Sequence, residues 1–488
     1  MQRTLAITLG LSLLAGLAVA GSNKPHFATG IKIGEVTDST AIVWARLTRA
    51  PKRVGEEAPM PQALYRSPET GELEERQGRR HNITPEMHFP DGSDIDSIEG
   101  AAPGAPGFVR VLYRVQGSDA WRDSDWVPVD SSRDFTCQIP LTDLEPASDY
   151  ELEVHSRTPR KSAGSTLTGG FKTAATPTDP QNVTFTVSTG QRYPDQDDPG
   201  GGFRIYDAMS RLNPEFFVHT GDILYYDDLA KTEALARWHW QRMYSLATNL
   251  RFHRRIGSYF MKDDHDTWRN DCWPTMQGLF MGEFTFEQGL AIFPEQVPMG
   301  DSTYRTFRWG KDLQIWLVEG RDFRSPNTDP DGPDKTIWGA EQKAWFKRTV
   351  RESDATFRIL ISPTPVVGPD RKNKRDNHSN TVFSHEGDEI REFIASQKNM
   401  IVVCGDRHWQ YVSTHPTTGV REYSCGPASD EHAGGWSNEL RYDEHEYLNV
   451  IGGFLAITVD REDGQPTLRA RHHGVNGAVL NEDILRAE

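Results

Sequence analysis

Phe216-Phe217-Val218-His219-Thr220-Gly221-Asp222 decides the fold of this chain, because an apolar run ends there in a glycine and an acidic residue. It is preceded by Val183-Thr184-Phe185-Thr186-Val187-Ser188, a typical strand, and by a helical pattern over 203–212. Strand, helix and strand in this order predict an α/β domain with ligand-carrying loops at the carboxyl ends of its strands. Glycine tolerates a tight exit turn, so the Asp222 carboxylate can point away from the sheet edge.

Two later segments repeat this arrangement. Lys262-Asp263-Asp264-His265-Asp266 and Val403-Cys404-Gly405-Asp406-Arg407-His408 each follow an apolar run and place oxygen or imidazole ligands at a turn. Together with Gly221-Asp222 they predict a site for two metal ions. The other predicted elements are helices over 229–251 and around 389–394, and strands over 313–318, 357–361, 400–403, 454–459 and 467–471.

The residues before this domain have a β pattern. Strands are predicted over 40–47 and 107–115, and Leu144-Glu145-Pro146-Ala147-Ser148-Asp149-Tyr150 resembles the strand corner of the fibronectin type III sandwich. The polar stretch over 82–106 predicts an inserted loop that folds over a neighbouring surface. A linker over 174–180 separates a β domain over 27–175 from a catalytic domain over 181–488.

The N-terminus has the pattern of a secretory signal peptide over 1–20. Arg3 precedes an apolar run, and Ala18-Val19-Ala20 forms an A-x-A cleavage site before Gly21. The run is too short for a membrane anchor, and no later stretch is apolar enough to span a bilayer. We therefore expect a periplasmic or secreted protein without a transmembrane segment.

Composition narrows the classes of partner. The 488 residues carry a formal net charge of −16, which argues against a track for long nucleic acids. An acidic protein that binds phosphate needs metal ions to invert the local field. The four cysteines have no close-pair spacing, so neither a zinc knuckle nor a disulfide framework is indicated. The oligomeric state is left open.

Three motifs now carry a family resemblance. Gly221-Asp222-x-x-Tyr225, Asp263-Asp264-His265-Asp266 and Gly405-Asp406-x-His408 resemble those of PhoD-type alkaline phosphatases, within the calcineurin-like metallophosphoesterase superfamily. The segment over 27–47 resembles that family's N-terminal β domain, and Arg321-Asp322-Phe323-Arg324 resembles its Arg-x-Tyr-Arg segment. The resemblance implies a four-layer α/β/β/α sandwich preceded by a fibronectin-III-like β-sandwich domain.

The resemblance also implies a ligand set. In that scheme Asp222 bridges two metals, Tyr225 and His408 bind the first, and Asp264 and Asp406 bind the second. Iron and calcium are the ions that the family implies, and magnesium or manganese also suits anionic oxygen ligands. Two metals about 3.5 to 4 Å apart clamp a phosphoryl group and supply a hydroxide for in-line attack.

The residues around the ligands have predicted roles in catalysis. His265 directly follows a ligand, so its ring can protonate the leaving oxygen while Asp266 orients it. Arg407, between two ligands, points either inward to phosphate or outward to a carboxylate. The segment with Asn377 and His378 is interpreted either as a substrate contact or as a solvent-exposed basic turn.

The chain departs from the family pattern at Gly190, where relatives commonly place a metal-binding cysteine. Either water or Gln191 fills the position, or the site takes a different ion, or catalysis is weak. Arg192 and Tyr193 remain as substrate contacts. The leading hypothesis is an exported metal-dependent hydrolase of phosphomonoesters or phosphodiesters. The alternative is a weak or inactive cell-surface binding protein on the same fold.

Overall fold

The computed structural model describes residues 24–75, 83–90 and 92–488. The predicted signal peptide over 1–20 lies outside these residues. Within them, no helix is both long enough and apolar enough to cross a membrane.

The part of the chain before residue 175 is built from strands. They are β1 (Ile31–Gly34), β2 (Ala41–Arg46), β3 (Gln62–Arg66), β4 (Leu73–Glu75), β5 (Pro85–His88), β6 (Phe108–Val115), β7 (Arg122–Asp123), β8 (Val127–Pro128), β9 (Thr136–Leu141), β10 (Asp149–Arg157) and β11 (Ala163–Lys172).

The rest of the chain mixes strands and helices. The strands are β12 (Val183–Ser188), β13 (Phe216–His219), β14 (Gly257–Phe260), β15 (Arg305–Trp309), β16 (Leu313–Leu317), β17 (Phe357–Ser362), β18 (Met400–Cys404), β19 (Gln410–Thr414), β20 (Arg421–Cys425), β21 (His445–Asn449), β22 (Gly453–Glu462), β23 (Gln465–Gly474) and β24 (Val479–Arg486). The helices are α1 (Arg204–Arg211), α2 (Tyr226–Leu229), α3 (Glu233–Tyr244), α4 (Ala247–His253), α5 (Phe286–Gln296), α6 (Gly339–Glu352) and α7 (Ser384–Ala395).

Two large sheets organise the described part of the chain. The first has the order β24-β23-β22-β12-β13-β14-β1-β2-β9, and the second has the order β15-β16-β17-β18-β20-β19-β21. In the first sheet β12, β13 and β14 run parallel, and in the second β16, β17, β18 and β20 do. The loops after β12, β13, β14, β18 and β20 therefore leave from the carboxyl ends of parallel strands.

Alternate residues along these strands separate the layers. Phe185, Val218 and Ile359 share one buried cluster, which joins the facing sides of the two sheets. Phe217 lies in a second cluster with side chains from α1, α3, α4 and α5, and Leu360 in a third with α6 and α7. Because side chains of a strand alternate between its two faces, this pattern gives the order helix, sheet, sheet, helix. The predicted four-layer fold is confirmed.

Three of the N-terminal strands join the first large sheet. β1 pairs in parallel with β14, and β2 and β9 follow it, so all three extend the first large sheet. β6, β10 and β11 form a sheet of their own beside them. The predicted corner is present, because the backbone N–H of Glu145 donates to the hydroxyl of Tyr150 over 2.7 Å. The division at 175–181 stays a prediction.

The predicted inserted loop does fold over a neighbour. Ile98 is buried against Leu235 and Trp238 of α3, and the indole of Trp238 donates to the carbonyl of Glu99 over 2.7 Å. The helix predicted over 229–251 is divided into α3 and α4, because Leu246 has an extended backbone that the helical ladder cannot continue through.

Candidate metal centre

Two aspartates stand at the predicted exit turns in the left-handed backbone region. Asp222 has φ 55° and Asp406 has φ 61°, which few residues other than glycine and short polar ones adopt. The glycines before them are required for space. A Cβ on Gly221 would lie 2.7 Å from the backbone nitrogen of Asp263, and one on Gly405 would lie 2.8 Å from the carbonyl of Pro363. Both carboxylates are thereby held at the ends of their strands.

A threonine ties the loops of the two sheets together. The hydroxyl of Thr189 donates to the carbonyl of Gly221 over 3.2 Å and accepts from the N–H of Asp406 over 3.3 Å. Its backbone also forms a parallel bridge with Pro427, in the loop after β20. The loops after β12, β13, β18 and β20 consequently meet at one end of the sandwich.

We call the carboxylates of Asp222, Asp263, Asp264 and Asp406 the carboxylate half of the site. One oxygen each of Asp222, Asp263 and Asp406 lies within 4.8 Å of the other two, and Asp222, Asp264 and a ring nitrogen of His265 form a second such group. Oδ1 of Asp222 and Oδ2 of Asp263 are buried without a hydrogen-bond partner. Buried anionic oxygens of this kind need a compensating charge.

The charges around this half favour a cation. Burial raises the pKa of Asp222 well above its usual range, and the neighbouring Asp264 and Asp266 add to this shift, whereas His265 and Arg321 oppose it without cancelling it. Burial likewise raises the pKa of Asp263, although Arg321 opposes the shift with a 2.6 Å ion pair. A bound metal ion would supply the missing positive charge, and the orphaned oxygens are the atoms to ligate it. The carboxylate half therefore fits metal ions.

Tyr225, His408 and His432 form the imidazole half of the site. The Tyr225 hydroxyl lies 2.6 Å from Nε2 of His432, 3.3 Å from Nε2 of His408 and 3.3 Å from Oδ2 of Asp222. The two imidazole rings are 4.1 Å apart between centroids. Asp222 thus lies between the two halves.

Gly190 lies beside this half. Its φ is 57°, and a Cβ built there would lie 3.3 Å from Cδ2 of His432 and 3.4 Å from Cδ2 of His408. Gln191 does not fill the position, because its side chain is buried and accepts a hydrogen bond from Tyr206.

His265 is held by a carboxylate that the motif does not contain. Its Nδ1 lies 2.8 Å from Oδ1 of Asp227, at the second position of α2. Burial lowers the pKa of this imidazole, but the carboxylates of Asp227, Asp264 and Asp222 outweigh burial and raise it to about 10. The neighbouring carboxylates therefore favour the protonated form of the ring.

Comparison with known proteins agrees with this geometry. The family model described as PhoD-like phosphatase matches residues 185–447, which is more than half of the chain and contains every site segment described above. This chain belongs to the PhoD-like phosphatase family. It is accordingly a metal-dependent phosphoric ester hydrolase. A search of curated proteins found no match.

Solved structures support the fold of this PhoD-like phosphatase. A structure titled "Structure of PhoD" is 15% identical with a TM-score of 0.68, and the match covers 95% of this chain and 90% of that one. Purple acid phosphatase PPD1 from yellow lupin (Lupinus luteus) seeds is 10% identical with a TM-score of 0.62, and the match covers 93% and 74% of the two chains. At these identities the likeness is one of fold.

The predicted ligands Asp222, Tyr225, Asp264, Asp406 and His408 are brought together in this phosphatase. Both oxygens of Asp264 accept backbone hydrogen bonds, from His265 and from Asp271. A carboxylate oxygen has a second lone pair, so these bonds leave metal ligation open. The individual roles of these residues stay predictions.

The prediction that Asp266 orients His265 is wrong. The two oxygens of Asp266 accept the backbone N–H groups of Asp263 and Ile223, at 2.6 and 3.0 Å. They therefore shape the ligand loop, while Asp227 holds the ring. Burial raises the pKa of Asp266 to about 8.

Of the two orientations considered for Arg407, the structure has the one toward carboxylates. The buried guanidinium donates to Asp370 over 3.1 Å and contacts Asp406. Arg192 is also paired with carboxylates, at 3.3 Å from Asp195 and 3.5 Å from Asp228, although its side chain is 31% exposed. Neither guanidinium needs a phosphate to satisfy its charge, so substrate contact by either stays a prediction.

Asn377 and His378 are not placed to touch a substrate. Both are fully buried. Asn377 donates to Asp370 over 2.8 Å, and His378 lies 2.9 Å from Glu386 of α7. The predicted substrate contact and the exposed basic turn are both wrong for these two residues, because internal partners hold them in the core.

Sequence reasoning did not assign roles to His432, Asp195, Asp227 or Asp263. A partial signal was present for His432, since β20 ends in a glycine turn like the other site strands, and Gly426 has φ 75°. Asp227 lies two residues beyond Tyr225, on the far side of a turn that sequence spacing does not specify. These positions required the three-dimensional arrangement.

Proposed function

We propose that this phosphatase is exported and cleaves phosphomonoesters or phosphodiesters at a two-metal site, with His265 as the general acid. Asp222, Tyr225 and His408 would hold one metal ion, and Asp222, Asp264 and Asp406 the other. When bound, such ions stabilise charge on a phosphoryl group and lower the pKa of a water molecule for in-line attack.

The observation that carries the proposal is the contact between Asp227 and His265. Because the Asp227 carboxylate lies 2.8 Å from Nδ1, it fixes that nitrogen as a proton carrier and leaves Nε2 as the nitrogen that can act on a substrate. A ring nitrogen also lies within 4.8 Å of carboxylate oxygens of Asp222 and Asp264, so the ring stands beside the ligands. A phosphate ester held there would receive its proton from Nε2 of His265 as the leaving oxygen departs.

The tests are His265→Ala and His265→Gln. We expect both metal ions to stay bound and turnover of alkyl phosphate esters to fall about 10²- to 10⁴-fold, the usual contribution of a positioned general acid. The loss should be smaller with nitrophenyl phosphate and bis-nitrophenyl phosphate, because nitrophenolate departs without protonation. Metal content is measured by plasma mass spectrometry on the same samples. Loss of a metal ion would make His265 a ligand, and unchanged turnover of alkyl esters would remove its catalytic role.

Export is tested on the full chain. When the protein is produced from its complete sequence in a bacterial host, we expect the mature N-terminus to be Gly21, found by N-terminal sequencing of the periplasmic or secreted fraction. A cytoplasmic product that keeps Met1 would contradict this part of the proposal.

A further inference from the structure

His432 stands at the site although no sequence motif places it there. It lies in the loop after β20, beside Pro427, whose backbone is bridged to Thr189. Its Nε2 is 2.6 Å from the Tyr225 hydroxyl, and its ring packs against that of His408. The loop is fixed at the other side of His432 as well, since the N–H of Gly434 donates to the carbonyl of His408 over 2.9 Å.

A carboxylate sets the tautomer of this ring. Nδ1 of His432 lies 2.9 Å from Oδ2 of Asp195, and Asp195 is itself paired with Arg192. A carboxylate can only accept, so Nδ1 carries the proton and Nε2 presents its lone pair to the site. Histidines that ligate metals are commonly held in this way by a carboxylate on the far nitrogen.

The atoms around the Tyr225 hydroxyl include more acceptors than one proton can satisfy. Nε2 of His432 and Oδ2 of Asp222 both lie within 3.3 Å of that hydroxyl, which has a single hydrogen to donate. Nε2 of His408 lies at 3.3 Å on a third side. The other oxygen of Asp222 is buried and has no partner. These acceptor atoms have more lone pairs than there are protons to share among them, and a bound cation would satisfy them.

We infer that His432 is a metal ligand, which completes a two-imidazole set with Tyr225, His408 and Asp222. This position then takes an ion that prefers nitrogen ligands, such as zinc or iron, whereas the carboxylate half takes a hard ion such as calcium or magnesium. The inference rests on the metal site of the proposed function, but it concerns which side chains bind and not turnover.

Gly190 provides the room for this arrangement. Any side chain there would have its Cβ 3.2 Å from Cβ of Pro427, 3.3 Å from the His432 ring and 3.4 Å from the His408 ring. The contacts with Pro427 and His432 are tighter than ordinary van der Waals separations, so a larger residue would push against the His432 ring and the loop that carries it. The absence of a side chain at Gly190 therefore leaves room for the imidazole ring of His432 beside that of His408.

The experiment measures zinc and calcium binding to the metal-free full chain by calorimetry. Replacing a residue that only orients a metal ligand typically weakens metal affinity about 10- to 100-fold, and we expect a loss of this size in zinc affinity for Asp195→Asn. His432→Gln removes the inferred ligand itself, so its zinc affinity should fall at least as much. Calcium binding should not change in either variant. His378→Gln is the matched control, because it alters another buried histidine paired with a carboxylate, and it should bind zinc as the wild type does.

A second measurement uses the wild-type protein and does not depend on how any variant folds. X-ray absorption of the protein loaded with one equivalent of zinc should show two imidazole ligands. One imidazole only, or unchanged zinc affinity in His432→Gln, would overturn the inference, as would an equal loss in His378→Gln. Neither readout involves catalysis, so failure of His265 as an acid would leave this result standing.

Discussion

His378 and His432 share a local chemistry but occupy opposite situations in the fold. Each lies in a loop that follows a core strand, and each has one ring nitrogen 2.9 Å from a carboxylate, Glu386 for His378 and Asp195 for His432. The ring of His378 is fully buried and packs edge-on against Trp338. That of His432 faces Tyr225 and His408 at the ends of the two sheets.

The difference shows that a histidine paired with a carboxylate does not by itself indicate a metal-binding site. What decides the role is the surroundings of the second ring nitrogen. For His378 those surroundings lie in the core under α6 and α7, and burial lowers the pKa of its imidazole. For His432 they contain a phenol and a second imidazole. The same pair stabilises the fold in one place and orients a ligand in the other.

The largest effect should come from removing the residue between the two halves of the site. Asp222→Asn keeps the shape of the side chain but removes its charge. We expect the affinity for metal ions to fall by more than about 100-fold, which exceeds the usual loss when a residue that only orients a ligand is replaced. His408→Ala should lose metal from the imidazole half. Plasma mass spectrometry after dialysis measures both. Full metal content in Asp222→Asn would mean that the metal site has been placed wrongly. Glu386→Gln is the control, because it removes the charge of a buried carboxylate outside the site.

The residues of the site differ in whether the sequence alone could predict their positions. Asp222, Asp264 and Asp406 follow strands with clear apolar patterns, and glycine before two of them marks an exit turn, so their meeting at one sheet end was predictable. His432 and Asp195 come from loops without such periodicity, and they meet across 237 positions of sequence. Sequence spacing could not pair them, nor show that β1, β2 and β9 would extend the catalytic sheet.

The next largest effect is expected for the pair formed by His378 and Glu386, which stabilises the fold. Burial raises the pKa of Glu386, yet the hydrogen bond from His378 and those from Ile337 and Thr336 lower it to about 2. A lowered carboxyl pKa contributes stability above its ordinary value of 4.5, and that contribution is lost as pH falls through about 2. We expect Glu386→Gln to lose about 1.5 to 3 kcal/mol at neutral pH, typical of hydrogen bonds to a charged group.

Urea unfolding of Glu386→Gln at several pH values gives this measurement. The difference from the wild type should shrink between pH 4.5 and 2. Metal content at neutral pH should remain full. A variant that lost metal while keeping its stability would reverse the roles assigned to the two histidines.

A smaller change is expected at His265 in the metal-free protein. Its pKa of about 10 is held up mainly by Asp227, so Asp227→Asn should lower it by about 1 to 3 units, as expected for loss of one adjacent opposite charge. The raised pKa contributes stability that is complete below 6.5 and is lost as pH rises through about 10. NMR titration of the imidazole measures the shift. Asp228→Asn, next along the chain, is the control, and an equal shift there would argue against a specific contact.

The smallest effect is expected at Gly190, where the family pattern of a metal-binding cysteine predicts that Gly190→Cys tightens binding of a thiophilic metal. The structure makes that gain conditional on His432. At φ 57° a Cβ is strained by about 1 to 2 kcal/mol, and it would press on both imidazole rings at 3.3 and 3.4 Å. In the wild-type background the thiol therefore competes with His432 for one position, and we expect no gain in zinc affinity.

In a His432→Gly background the same substitution should behave differently. The ring that would collide with the new side chain is gone, and the thiolate is a strong zinc ligand, so His432→Gly/Gly190→Cys should bind zinc about 10-fold more tightly than His432→Gly. Calorimetry on the four proteins of this cycle gives the coupling directly. A gain from Gly190→Cys of the same size in both backgrounds would show that the thiol and the imidazole do not share a position, and it would separate Gly190 from the site of His432.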